Sequence, residues 1–108
     1  MSRGEVVDVD LGEPEGHEAG WDHAALIVSD DRLENVGVVI VCPITSTRLG
    51  YPSHVEIEPG HSGLAHTSYV QTELVRSIST TRVRRTRGSA DFLVMQSVGQ
   101  RLRLLMRL

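Results

Sequence analysis

The 108-residue chain contains no lysine; all eleven of its cations are arginine. It has one cysteine, Cys42, and four aromatic residues of the Phe, Trp and Tyr type: Trp21, Tyr51, Tyr69 and Phe92. A lone cysteine excludes a disulfide framework within the chain and, inside "VVIVCPIT", reads as a small buried hydrophobe rather than a nucleophile. So few aromatics leave few platforms on which nucleobases could stack. No window approaches the ~18 uninterrupted apolar residues of a membrane span, and the opening "MSRGEVVDVD" has no basic-then-apolar signal pattern. A cytoplasmic chain with no membrane association is the expectation. Also missing are a P-loop, a Gly-x-Gly-x-x-Gly fingerprint and a Gly-x-Ser-x-Gly elbow, which leaves nucleotide-cofactor, hydride and serine-acyl chemistry without support. His17 and His23 stand six apart with no cysteine cluster and no His-x-x-x-His helix, so they read as loop residues, and neither metal nor cofactor is expected.

What is present suits one domain, residues 1–108, with a single modest core, since 40% of the residues are hydrophobic. The net charge of −3 conceals an asymmetry: residues 1–40 hold ten of the fourteen acids but only Arg3 and Arg32, and the remaining nine arginines lie in 41–108. The run "RVRRTR" concentrates Arg82, Arg84, Arg85 and Arg87. Such a run reads as a solvated turn or, because guanidinium forks match phosphate, as a nucleic-acid patch.

Periodicity predicts short strands and then one helix. "GEVVDVDL" (4–11), "AALIVS" (24–29), "VGVVIVCPIT" (36–45) and "SHVEIEP" (53–59) read as strands, and "TSYVQTELVRSI" (67–78) as one long or two short ones, with Val70, Thr72 and Leu74 on one face. From residue 88 the period changes: Ser89 reads as an N-cap, Asp91 falls in the first turn, and Phe92, Met95, Val98, Leu102 and Leu105 recur at helical spacing as a core-facing stripe. Turn chemistry separates the units at 11–20, 47–53 and 58–63. The expected architecture is mainly β, a strongly curled antiparallel sheet of five to seven strands closed by a C-terminal helix. The loop of residues 11–23, rich in Glu, Asp and His, is the natural platform for chemistry.

In this order and at these spacings, "RGEVVDVDLGEPEGHEAG", "AALIVSDD", "VCPITS", "GYPSHVEIE", "SGL" and "ELVRSI" resemble the MazF/PemK family of toxin endoribonucleases over nearly the whole chain. The resemblance implies a curled SH3-like barrel with a C-terminal helix. It further implies a homodimer that cuts single-stranded RNA at short sequences without a metal, and a cognate antitoxin whose acidic, partly disordered tail covers the RNA site. Residue by residue, Glu18 falls on the family's loop glutamate, His23 on its arginine and Ala24 on its proline. Thr45 matches the threonine or serine that contacts the scissile phosphate, Arg3-Gly4-Glu5 the opening turn, and Arg76 the basic residue of a later strand. Glu18, His23 and Thr45 are therefore the catalytic candidates, and Arg3, Ser46, Arg48, Arg76, Arg84 and Arg85 the RNA-binding ones. Two departures stand out: histidine replaces the family arginine at 23, and Leu74 replaces a glutamine.

Metal-free RNA cleavage needs a base for the 2′-hydroxyl, an acid for the leaving 5′-oxygen and donors for the charge on phosphate, and it yields a cyclic phosphate. An imidazole suits proton transfer near neutrality better than a guanidinium does, but it makes no forked phosphate contact. Phosphate neutralisation would then fall to Arg48, Arg76 or the 82–87 run, with Glu18 and Asp22 placed to orient the imidazole. His54, His61 and His66 read as surface or turn residues. Two alternatives carry different expectations. A member with a decayed loop would serve as an antitoxin- or protein-binding module, and a CcdB-like gyrase inhibitor would carry a tryptophan near its end, where this chain has "LLMRL".

Overall fold

A computed structural model describes all residues, 1–108. Strand β1 (Glu5–Asp10) forms over loosely alternating valines, and β2 (Asp22–Ile27) and β3 (Val38–Thr45) form where the chain carries its near-continuous apolar runs. Such runs suit strands covered on both faces. Alternate side chains separate into two buried clusters, with Val6, Leu26, Cys42 and Ile44 in one and Val7, Val9, Ala25, Ile27 and Val41 in the other. The first cluster also receives Val55 and Ile57 from β4 (His54–Ile57), Val70 from β5 (Ser68–Gln71) and Val98 from the helix α1 (Phe92–Met106).

The sheet has seven antiparallel strands in the order β4-β5-β3-β2-β1-β7, where β7 is Val83–Ser89, with β6 (Arg76–Ser79) pairing with β3 off that path. β3 is the pivot, because Val38–Val41 pair with β6 whereas Ile44 and Thr45 pair with β5. Pro43 falls between the two segments, where the ladder on that side changes partner and a missing N–H is tolerated. The sheet therefore curls, without closing, and α1 packs on its first cluster. This is the mainly β, curled architecture with a C-terminal helix that the periodicity predicts.

One open alternative is decided and two local expectations are corrected. Residues 67–78 form the two short strands rather than the one long strand, because a 3-10 turn at Thr72–Leu74 separates β5 from β6. The Thr72 hydroxyl, buried there, donates to the Ser53 carbonyl at 2.6 Å. "RVRRTR" is not a turn: its last five residues lie in β7 (Val83–Ser89), antiparallel to β1 with register shifts at Val6/Val7 and Asp8/Val9. Gly88 locks the far end of β7, since a Cβ there would overlap the His61 carbonyl. Finally, Ser89 belongs to β7 and Asp91 caps α1, its carboxylate accepting from the Val94 N–H at 2.9 Å. The buried side of α1 is Val94, Met95, Val98 and Leu102; Phe92 and Leu105 of the expected stripe are exposed. No helix is long and apolar enough to cross a membrane.

Candidate active site

The β1–β2 loop is pinched at its neck: the Leu11 N–H donates to the Trp21 carbonyl at 2.9 Å, and the Trp21 N–H to the Gly12 carbonyl at 2.6 Å. Gly20 passes so close to Pro14 that a Cβ would stand 2.5–2.7 Å from the proline ring, which makes glycine obligatory for this path. The loop ends two residues earlier than the sequence suggests, because β2 begins at Asp22, and His23 is a strand residue paired with Val9 across β1 and β2. Its Nδ1 lies 2.8 Å from the Ala24 carbonyl oxygen. A carbonyl only accepts, so Nδ1 carries the hydrogen and Nε2 is the nitrogen that gains or loses a proton.

His23 lines an open groove of about 580 Å³ with Asp8, Asp22, Arg84, Arg85 and Arg87. β7 brings the arginines to it, and β1 latches them. Arg85 Nε donates to Asp8 at 2.6 Å, Arg84 reaches Asp10 at 3.3 Å, and Arg87 stands 3.7 Å from Asp8. Asp10 sits below the ordinary carboxylate range, held there first by the Gly12 N–H, against a desolvation effect, and then by the charges of Arg84 and Arg82. Three guanidinium groups thus face two aspartates and one imidazole in the groove, a setting in which an arriving phosphate competes with carboxylates for forked donors.

The remaining candidates are elsewhere. Exposed Glu18 lines a second, smaller cleft of about 190 Å³ with Pro43, Glu73, Leu74 and Arg76, so the structure joins Glu18 to Arg76 and not to His23. Arg76 also donates to the Leu11 carbonyl at 3.4 Å, at the neck of the loop. Thr45 ends β3 opposite Tyr69, its hydroxyl accepting from the Thr47 N–H at 3.2 Å, and Ser46 and Arg48 follow it in exposed chain. Arg3 is exposed at the opening turn; its guanidinium donates to the Val28 carbonyl and its N–H to Asp31, in a hollow with Asp30 and Met95. No three His, Cys, Asp or Glu side chains gather as a metal site.

One cluster escapes sequence reasoning. His54 is not a surface residue, since its side chain is only 3% exposed. Its Nε2 lies 2.8 Å from Glu73, which also accepts from the Ser53 hydroxyl at 2.8 Å, while Nδ1 is buried without a partner. Burial pushes the Glu73 carboxyl up, but the hydrogen bonds from His54 and Ser53 outweigh it and leave the group below its ordinary value. The partners stand about twenty residues apart in sequence, so no local pattern announces them.

A family model described as the PemK-like, MazF-like toxin of type II toxin-antitoxin system matches residues 2–106. The chain belongs to this family. Among relatives, this MazF-like chain is 33% identical to Endoribonuclease MazF9 of Mycobacterium tuberculosis over 111 residues, spanning 96% of the chain and 94% of the relative. Its fold matches the crystal structure of MazF from Deinococcus radiodurans with a TM-score of 0.87 and 28% identity, over 100% of this chain and 97% of that one. A MazE-MazF crystal structure from the same organism matches with a TM-score of 0.81 and 28% identity, over 100% and 96% of the two chains.

Proposed function

We propose that this MazF-like chain is a cytoplasmic endoribonuclease toxin that cuts single-stranded RNA sequence-specifically, without a metal, as a homodimer silenced by a cognate antitoxin with an acidic tail. The observation that carries the chemistry is the groove, where an imidazole with a free Nε2 faces three arginines. Two proton transfers are required. One group removes the 2′-hydroxyl proton as the O2′–P bond forms; another protonates O5′ as the P–O5′ bond breaks, leaving a 2′,3′-cyclic phosphate. His23 Nε2 performs one transfer and Thr45 donates to the phosphate; Glu18, whose cleft is separate from the groove in this structure, would perform the other only after the β1–β2 loop carries it to the phosphate. Arg84 and Arg85 exchange Asp10 and Asp8 for phosphate oxygens, supplying the fork that an imidazole lacks. Arg48, Arg76 and Ser46 contact the flanking backbone, and Arg3 joins them by exchanging the Val28 carbonyl for a phosphate oxygen.

The test is a set of substitutions assayed on unstructured RNA. His23→Ala should lower the cleavage rate by roughly 10²–10⁴-fold with the fold intact. His23→Arg should keep or raise activity, because a guanidinium restores the forked phosphate contact. Thr45→Ala should damage both backgrounds. Equal rates for wild type and His23→Ala would remove His23 from the mechanism. An inert wild type awakened by His23→Arg would instead favour a protein-binding module with a decayed loop.

A further inference from the structure

We infer that the hollow bounded by Arg48, Gly50, Tyr51, His54, Glu56 and Tyr69 is a nucleobase subsite, which takes a base flanking the cleaved bond. The inference rests on the endoribonuclease reading above and assigns that site a specificity element. Half of the chain's Phe, Trp and Tyr residues line this one hollow. Its volume of about 300 Å³ is at the lower end of the ~300–1,000 Å³ range of small-ligand sites.

Its position follows from strand register. Tyr69 is paired with Thr45 across β3 and β5, and with Glu56 across β5 and β4. Residues directly opposite on antiparallel strands share a face, so Thr45, Tyr69 and Glu56 form one row. The hollow therefore opens one strand away from the threonine assigned to the phosphate.

Its side chains are prepared for a base. Tyr51 is 52% exposed, yet its ring is backed by the His54 imidazole, with centroids 5.0 Å apart and planes tilted by 56°. His54 is in turn anchored by Glu73 through Nε2, and its Nδ1 is a buried polar atom that the protein leaves unpaired. An aromatic face held in place loses little freedom when a base stacks on it. Arg48 and Glu56 take no part in any of the chain's salt bridges, in contrast to the latched Arg84 and Arg85. Arg48 is thus free to stack or to hold a phosphate. The acceptor-only carboxylate of Glu56 suits N–H donors on the Watson–Crick edge of an unpaired base.

The test uses the full-length protein and a set of short RNA substrates, each carrying one abasic nucleotide near the cleaved bond. Tyr51→Ala should raise KM by roughly 5- to 150-fold, the range of a lost base stack, and leave kcat nearly unchanged. Tyr51→Phe, which keeps the ring, should restore the wild-type KM. At one position the abasic substrate and Tyr51→Ala should fail to add, because both delete the same contact. Glu56→Gln should change the base preferred at that same position. If wild type cleaves RNA but Tyr51→Ala matches its KM, or its loss adds to the abasic loss at every position, the subsite is refuted while the endoribonuclease reading stands. If wild type cleaves none of the substrates, both fall together.

Discussion

His23 has one ring nitrogen committed to a backbone carbonyl and one free, the asymmetry on which its proposed proton transfer rests. Cys42 shows the opposite outcome of burial. It lies at the register position of Leu26 inside the first core cluster, and burial, assisted by the charge of Glu73, pushes its thiol up to about 12 from 9.0. The folded chain therefore keeps the thiol protonated where the unfolded chain ionises it. Above pH 9.0 the unfolded state binds fewer protons, so this contribution to stability is complete below that pH and is lost as pH rises towards about 12. Denaturant unfolding between pH 9 and pH 11 should show this decline, and Cys42→Ala should flatten it while lowering stability overall through the small cavity. Alkylating reagents should label Cys42 only after unfolding; labelling of the folded chain at neutral pH would contradict the burial argument.

At the scale of elements, β7 decides whether the arginine-rich surface acts on RNA. Reversing the charges of Arg84 and Arg85 would also set new carboxylates against Asp10 and Asp8, so the neutral double substitution Arg84→Gln, Arg85→Gln separates binding from stability. If each guanidinium neutralises one phosphate, the variant should bind RNA more weakly. The slope of log affinity against log salt should then become shallower by about 1.4, at roughly 0.7 per phosphate of a single strand. Association with an acidic antitoxin tail should weaken as well. Unchanged RNA affinity and slope would mean that these arginines only staple β7 to β1. The same strand marks the limit of what the sequence discloses. β2 and β3 are legible because both of their faces are buried, which writes apolar runs into the chain, and β1 through its loosely alternating valines. β7 carries no such run: its strand character comes from pairing with β1 and from Asp8 and Asp10, more than seventy residues away. The burial of His54 likewise depends on Glu73 and Tyr51, not on its neighbours in β4. The cap of α1 was displaced by two residues because the β1–β7 pairing extends through Ser89. Glu18, His23, Thr45 and Arg76 were legible through family resemblance, but their separation into different clefts followed only from the topology.

For the whole molecule, the outer side of α1 is the feature a lone subunit explains least. Leu93 and Leu104 are 69% and 79% exposed, and a spacing of eleven residues sets them on one side of a helix with 3.6 residues per turn. An apolar side left in water favours association with a second copy. Light scattering should therefore report about twice the 11.9 kDa subunit mass, and a stable monomer at micromolar concentration would remove the homodimer from the proposal. The proposed reaction needs only side chains. Its most direct test is incubation of the purified protein with unstructured RNA in EDTA, followed by analysis of the new ends. Undiminished cutting at defined positions, with 2′,3′-cyclic phosphate and 5′-hydroxyl ends, is the predicted result; intact RNA, cutting abolished by EDTA, or 5′-phosphate ends would contradict it.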